Sequence, residues 1–245
     1  MHLPFEDRKT MKAVEAYMAD ETWDFYINLG DLMDFNCIAR FNDGLPRRKM
    51  GQTLRKDYDY ANEFLDRHLA AVRKKNGECR VVFLEGNHDE RIERYADKYP
   101  EVEGVIEVEP ALRLRDRGVE WVRYNESRAF RVGNAHFHHG KYTNKYHAFK
   151  HADHFGTCIF YGHTHDVQEF GKVLHGSDST IKARSLGCLC RYDQTYIKGN
   201  PTNWQQAITV FWFYPDGYFQ DSTVPIFKHR FVGPTTGRVY DGRKP

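Results

Sequence analysis

The chain has 245 residues, 40% of them hydrophobic, 15% aromatic and 29% charged, with a formal net charge of +2. That balance excludes a disordered or membrane-embedded chain, and no apolar run approaches the roughly 18 residues a membrane span requires. So small a charge excludes global attraction to nucleic acid and leaves any such binding to local patches.

Residues 1–7 carry neither the basic nor the apolar region of a secretory leader. Cys37, Cys79, Cys158, Cys188 and Cys190 form no framework spacing, so idle thiols in a reducing cytoplasm are the expectation. In chain order, helical spacing covers residues 7–20, with Asp7 as the expected N-cap. A short apolar strand follows over 23–29, then a long amphipathic helix over 52–75. A strand at 80–84 and a helix at 88–99, stopped by Pro100, complete a β–α–β–α order that favours parallel strands.

The second half changes character. Residues 120–123, 127–132 and 135–139 read as strands, the last two joined by the Gly133-Asn134 hairpin signal. A helix is expected over 144–154 and a strand over 157–161. Two further strands, 207–214 and 218–227, flank the Pro215-Asp216-Gly217 turn. These predict a second, mostly antiparallel sheet. Residues 1–233 read as a single domain and 234–245 as a polar C-terminal tail that frays.

The chemistry collects where apolar strands end. One runs into Gly30-Asp31-Leu32-Met33-Asp34, another into Glu85-Gly86-Asn87-His88-Asp89. A third runs into His138-His139-Gly140, and a fourth into Gly162-His163-Thr164-His165-Asp166. Ligands gather at the carboxyl ends of strands in open α/β sheets. The carboxylate, amide and imidazole groups suit hard-to-borderline divalent metals.

In this order the motifs resemble the calcineurin-like metallophosphoesterases, whose signature ends in Gly-Asn-His-Asp/Glu and Gly-His-x-His. The resemblance implies a four-layer α/β/β/α sandwich of two mixed β-sheets flanked by helices, with two metal ions at the strand ends. It makes Asp31 the bridging carboxylate, Asn87, His139 and His163 ligands of one ion, and His2 and His165 ligands of the other. His88 takes the place of the catalytic histidine, with Asp89 as its orienter. The aspartate of the family's first motif falls ahead of Met1, so an upstream residue is expected to complete that site. Manganese is the implied metal, with iron, zinc, magnesium or nickel as alternatives.

The implied reaction is hydrolysis of a phosphomonoester or phosphodiester by attack of a metal-bound hydroxide on phosphorus. His88 would protonate the leaving oxygen, since imidazoles as a class exchange protons near neutral pH. Substrate selection falls to the surrounding loops: Arg47 and Arg48 in the basic segment 40–56, and Lys141 and Lys145 among Tyr142, Tyr146 and Phe149. Arg191, Tyr192, Tyr196 and Trp204 are further candidates. A DNA or RNA nuclease of the same chemistry and a non-catalytic binding scaffold are the alternative readings.

Overall fold

The structure, a computed structural model, describes residues 1–125, 128–173, 175–176, 180–193, 197 and 202–244. Tyr196 and the first residue of the strand expected at 127–132 lie outside the described residues. The chain is a mixed α/β protein with several sheets. It divides into two compact units, residues 1–6 with 18–124 and residues 7–17 with 125–245.

Helix α1 (Arg8–Asp20) starts where expected, the Asp7 carboxylate accepting a hydrogen bond from the Thr10 amide at 3.0 Å. In the first unit, β1 (Phe25–Asn28) leads through two 3-10 turns at 36–38 and 40–42 to the short α2 (Pro46–Lys49) and the long α3 (Leu54–Val72). The Thr53 hydroxyl caps α3 by accepting from the Lys56 amide. Buried Tyr58, Ala61, Leu65, Leu69 and Val72 form its apolar stripe. From that stripe His68 hydrogen-bonds the Tyr26 hydroxyl of β1 at 2.7 Å. Strand β2 (Arg80–Leu84) is followed by α4 (Arg91–Lys98), α5 (Val108–Ala111) and β3 (Val119–Val122).

These strands form a sheet in the order β1-β2-β3, parallel at both pairings. Strand β3 therefore belongs to the first sheet, not to the second as its neighbourhood in the sequence predicts. The segment between β2 and β3, carrying α4 and α5, supplies the crossover that parallel pairing requires. Four of the five β2 residues are buried, as a strand covered on both faces demands.

In the second unit, β4 (Phe130–Val132) and β5 (Ala135–His138) form the expected antiparallel hairpin. Helix α6 (His147–Phe155), β6 (Ile159–Tyr161), β7 (Glu169–Val173) and β8 (Thr180–Ser185) follow. The five-stranded order is β4-β5-β6-β8-β7. Strands β5, β6 and β8 run parallel, with antiparallel partners only at the edges, so the sheet is mixed rather than mostly antiparallel. Residues alternate across β6. Ile159 and Tyr161 pack in a cluster with Ala152 of α6 and with Ile181 and Ala183 of β8. Phe160, on the other face, meets Phe211 and Phe219. Those rings come from β9 (Ala207–Phe213) and β10 (Phe219–Pro225), the hairpin expected around Pro215.

The C-terminal segment does not fray as expected. Strand β11 (Arg230–Val232) pairs with β12 (Val239–Asp241), and Tyr240 is buried with its ring on Tyr17 and Phe231. One aromatic residue in a polar stretch is enough to anchor it. No helix among the described residues is long and apolar enough to cross a membrane.

Candidate functional site

In the first unit, β1 runs on past Asn28 into Gly30-Asp31, and Asp31 turns with φ 50°. The segment beyond it pairs with the start of the chain. The His2 amide donates to the Asp31 carbonyl at 2.7 Å, the Leu3 amide to the Leu32 carbonyl at 2.8 Å, and the Asp34 amide to the Leu3 carbonyl at 3.0 Å. This ladder buries His2, whose Nε2 lies 3.4 Å from Asp31 Oδ2 and whose Nδ1 lies 3.3 Å from Asp34 Oδ2. Burial, reinforced by nearby His88, pushes His2 down to about 4. It therefore faces Asp31 as a neutral imidazole, the form that ligates metals.

The turn after β2 brings in Asn87 and His88. The His88 amide donates to Asp31 Oδ1 at 2.9 Å, and its ring packs edge-on against His2 with centroids 4.5 Å apart. The expectation that Asp89 orients His88 is corrected here. Asp89 is fully buried and accepts from the backbone amides of Leu32, Met33 and Gly86 at 2.8–3.2 Å. It clamps one loop to the other. Burial and the neighbouring Asp31 charge raise its carboxyl to about 7, against the pull of those amides.

The carboxylate that meets the His88 ring is Asp34, with Oδ2 3.1 Å from Nδ1. Burial works against ionising Asp34, but hydrogen bonds from His2 and His88 outweigh it and hold the carboxyl well below the usual range. Arg91, at the start of α4, places Nη2 3.1 Å from His88 Nε2. The sequence reading missed both roles. The second aspartate of Gly-Asp-x-x-Asp was the available signal for Asp34, and Arg91 had none.

In the second unit, β5 ends at His138 and is followed by His139, both buried. His138 is structural, its Nε2 meeting the Asn125 carbonyl at 2.8 Å and its Nδ1 accepting from the Gly140 amide at 2.9 Å. His139 stands with its ring 5.0 Å from that of His163, which follows β6. Gly140 (φ 124°) permits this approach, because a Cβ there would lie 2.7 Å from the His163 Cβ.

Behind the Gly-His-Thr-His turn runs a buried polar network. Asp166 meets His147 Nε2 at 3.1 Å, the Ser185 hydroxyl at 3.1 Å and the Asn203 amide at 2.9 Å. His147 Nδ1 meets the Tyr161 hydroxyl at 2.7 Å. His165 packs against Trp204 with ring centroids 4.2 Å apart. His2, Asp31, His163 and His165 all hold left-handed backbone conformations. Such non-glycine positions cost on the order of 1–3 kcal/mol each and cluster at functional sites.

Among the substrate candidates, Lys145, Tyr146 and Phe149 are exposed and line an open pocket of about 640 Å³ together with His163 and Thr164. The Lys141 ammonium lies over the Tyr142 ring. Arg47 and Arg48 are exposed on α2, which packs on the 3-10 turns at 36–38 and 40–42. The Tyr192 hydroxyl accepts from the Gln206 amide at 2.7 Å. Arg191 lies 3.6 Å from Asp193.

The donor set fits a divalent cation. His2, Asp31 and His88 each present a ligand atom, all within 4.8 Å of one another, in a nitrogen and oxygen environment where His2 and Asp31 are buried and His88 is half-buried. A family model described as calcineurin-like phosphoesterase matches residues 1–167. Two phage proteins are similar along nearly their full lengths. The Gene 54 protein of Mycobacterium phage L5 is 27% identical over 251 residues, covering 98% of this chain and 95% of that protein. The Gene 54 protein of Mycobacterium phage D29 is 28% identical over 241 residues, covering 94% and 92%. Strand-end motifs, the buried His and Asp cluster and the family match agree: the chain belongs to the calcineurin-like phosphoesterase family.

Proposed function

We propose that this member of a metal-dependent phosphoesterase family hydrolyses phosphomonoesters or phosphodiesters with two divalent ions, manganese in the first instance. In this reading Asp31 would be shared by the two ions, Asn87, His139 and His163 would hold one, and His2 and His165 would hold the other. Residues 1–233 act as one catalytic domain. The observation that carries the reading is the meeting of buried His2 with the Asp31 carboxylate, Nε2 to Oδ2 at 3.4 Å, beside the end of β1, with the His88 ring brought against His2 from the end of the parallel β2. Bound ions would supply positive charge to the phosphoryl oxygens and lower the pKa of a water from 15.7 towards about 7. The chain's own part is to orient and donate. Asp34 holds the His88 ring, and His88 gives a proton to the leaving oxygen. Asp89 keeps the two loops in register.

A nuclease reading draws on Lys145, Tyr146 and Phe149, which border the same pocket as His163 and offer a cation and aromatic faces. The test is hydrolysis of a chromogenic monoester, a chromogenic diester and single-stranded DNA by metal-replete protein, before and after chelation. Hydrolysis of either small ester, lost on chelation, is the expected result, and preference for DNA selects the nuclease. His88→Ala should keep its metal and lose about 10²–10⁴-fold in turnover, chiefly on esters with poor leaving groups. Equal activity of variant and parent on an alkyl phosphodiester would defeat the proton-donor role. Metal-replete protein inert on all three substrates would make the chain a scaffold.

A further inference from the structure

We propose that Arg91 is a phosphate ligand that gives the site a preference for phosphomonoesters, an inference that rests on the phosphoesterase reading. Arg91 is the first residue of α4, two positions beyond Asp89. Helical side chains lean towards the N-terminus, which carries this guanidinium back over the turn that bears His88. Nη1 donates to the Asp34 carbonyl at 2.5 Å and lies 3.5 Å from Asp34 Oδ1. The guanidinium carbon sits 5.6 Å from the centroid of the Phe41 ring. The side chain is 18% exposed, so the group is held on several sides yet open to a ligand.

The key contact is Nη2 at 3.1 Å from His88 Nε2. Asp34 occupies the other ring nitrogen. Nε2 is therefore the atom His88 must turn to a substrate oxygen, and Arg91 stands at the place that oxygen has to reach. A guanidinium donating to a ring nitrogen makes a weaker bond than one donating to an anionic phosphate oxygen, which it can also grip with both arms of its fork. An arriving phosphoryl group would replace the imidazole as acceptor, with the fork already oriented by the Asp34 carbonyl. A diester carries two unesterified oxygens, both of which a pair of cations would claim. A monoester adds a third oxygen and a second negative charge, and these fall to Arg91.

The test compares p-nitrophenyl phosphate with bis(p-nitrophenyl) phosphate, which share a leaving group, and adds calorimetric titration of inorganic phosphate into metal-loaded protein. Arg91→Met should lower kcat/KM on the monoester by about 100-fold and on the diester by less than about 5-fold, with phosphate affinity down at least about tenfold. Arg91→Lys, which keeps the charge and loses the fork, should fall between, and it carries the test if the methionine variant does not fold. A merely structural tie to the Asp34 carbonyl predicts equal losses on both esters, and that result overturns the proposal. So does phosphate affinity that is absent in the parent or unchanged in the variants. A parent that binds phosphate through Arg91 yet hydrolyses neither ester would sink the phosphoesterase reading and leave the anion site standing.

Discussion

The two units prepare their strand ends by opposite means. The first assembles carboxylates: Asp31, Asp34 and Asp89 are all buried, and Asp89 alone accepts from three backbone amides. The second assembles imidazoles, with His139 and His163 brought together by a missing Cβ at Gly140. The second unit has its own buried carboxylate, Asp166, but spends it on His147, Ser185 and Asn203. Burial opposes its ionisation, and the hydrogen bonds from His147 and its other partners hold it below the ordinary range all the same. The comparison teaches two ways of furnishing a strand end: the first unit buries carboxylates there, while the second packs imidazoles in front of a buried polar network.

The largest break in that scheme is Asp31→Ala. It should remove bound metal, read by elemental analysis, and activity by about 10³-fold or more, since two imidazoles offset little of a dication's charge. Full metal retention would count against the bridging role proposed for Asp31. Gly140→Ala probes the second unit through its backbone alone. The new methyl group would sit 2.7 Å from the His163 Cβ, in a conformation with φ 124° that L side chains avoid. A loss of about 1–3 kcal/mol in urea denaturation is expected. An unchanged midpoint would mean that the imidazole pair does not depend on close backbone approach.

The smallest effect is a pH slope. Burial pushes His151 down to about 4, and its Nε2 accepts from the Lys141 amide while its ring stacks on Tyr161 at 3.7 Å. The unfolded chain takes up a proton near the ordinary value of 6.5, whereas folded His151 refuses it until about 4. Stability from this group is therefore intact above 6.5 and declines as pH falls towards 4. His151→Phe should flatten that acid-side decline relative to the parent in denaturation midpoints at pH 7.5, 5.5 and 4.5. Parallel decline in both proteins would remove His151 from the acid response.

Much of the organisation was legible because it rests on local physics. The β2 strand matches its apolar run residue for residue, and the hairpins at Gly133 and Pro215 follow from turn chemistry. Strands β7 and β8 were not foreseen. Strand β7 carries Glu169, Gly171 and Lys172 on an exposed edge, and β8 alternates Ile181, Ala183 and Ser185 with Lys182 and Arg184, so neither shows an apolar run. The orienting role was assigned to Asp89 instead of Asp34 for a related reason. Adjacency to His88 favoured Asp89, but the turn into α4 aims that carboxylate at the amides of Leu32, Met33 and Gly86.

Sequence alone determined which residue types stand at the strand ends and hence the family, because glycine turns after apolar strands are encoded within a few neighbouring residues. Tertiary structure decided what each of those residues touches. Asp34, three residues past Asp31, reaches His88 only because β1 and β2 lie side by side in parallel register. Arg91 acquires its place on His88 Nε2 because α4 begins where it does. Hydrogen-bond reach is about 3 Å and is set by the fold, whereas spacing along a chain constrains distance only within one element.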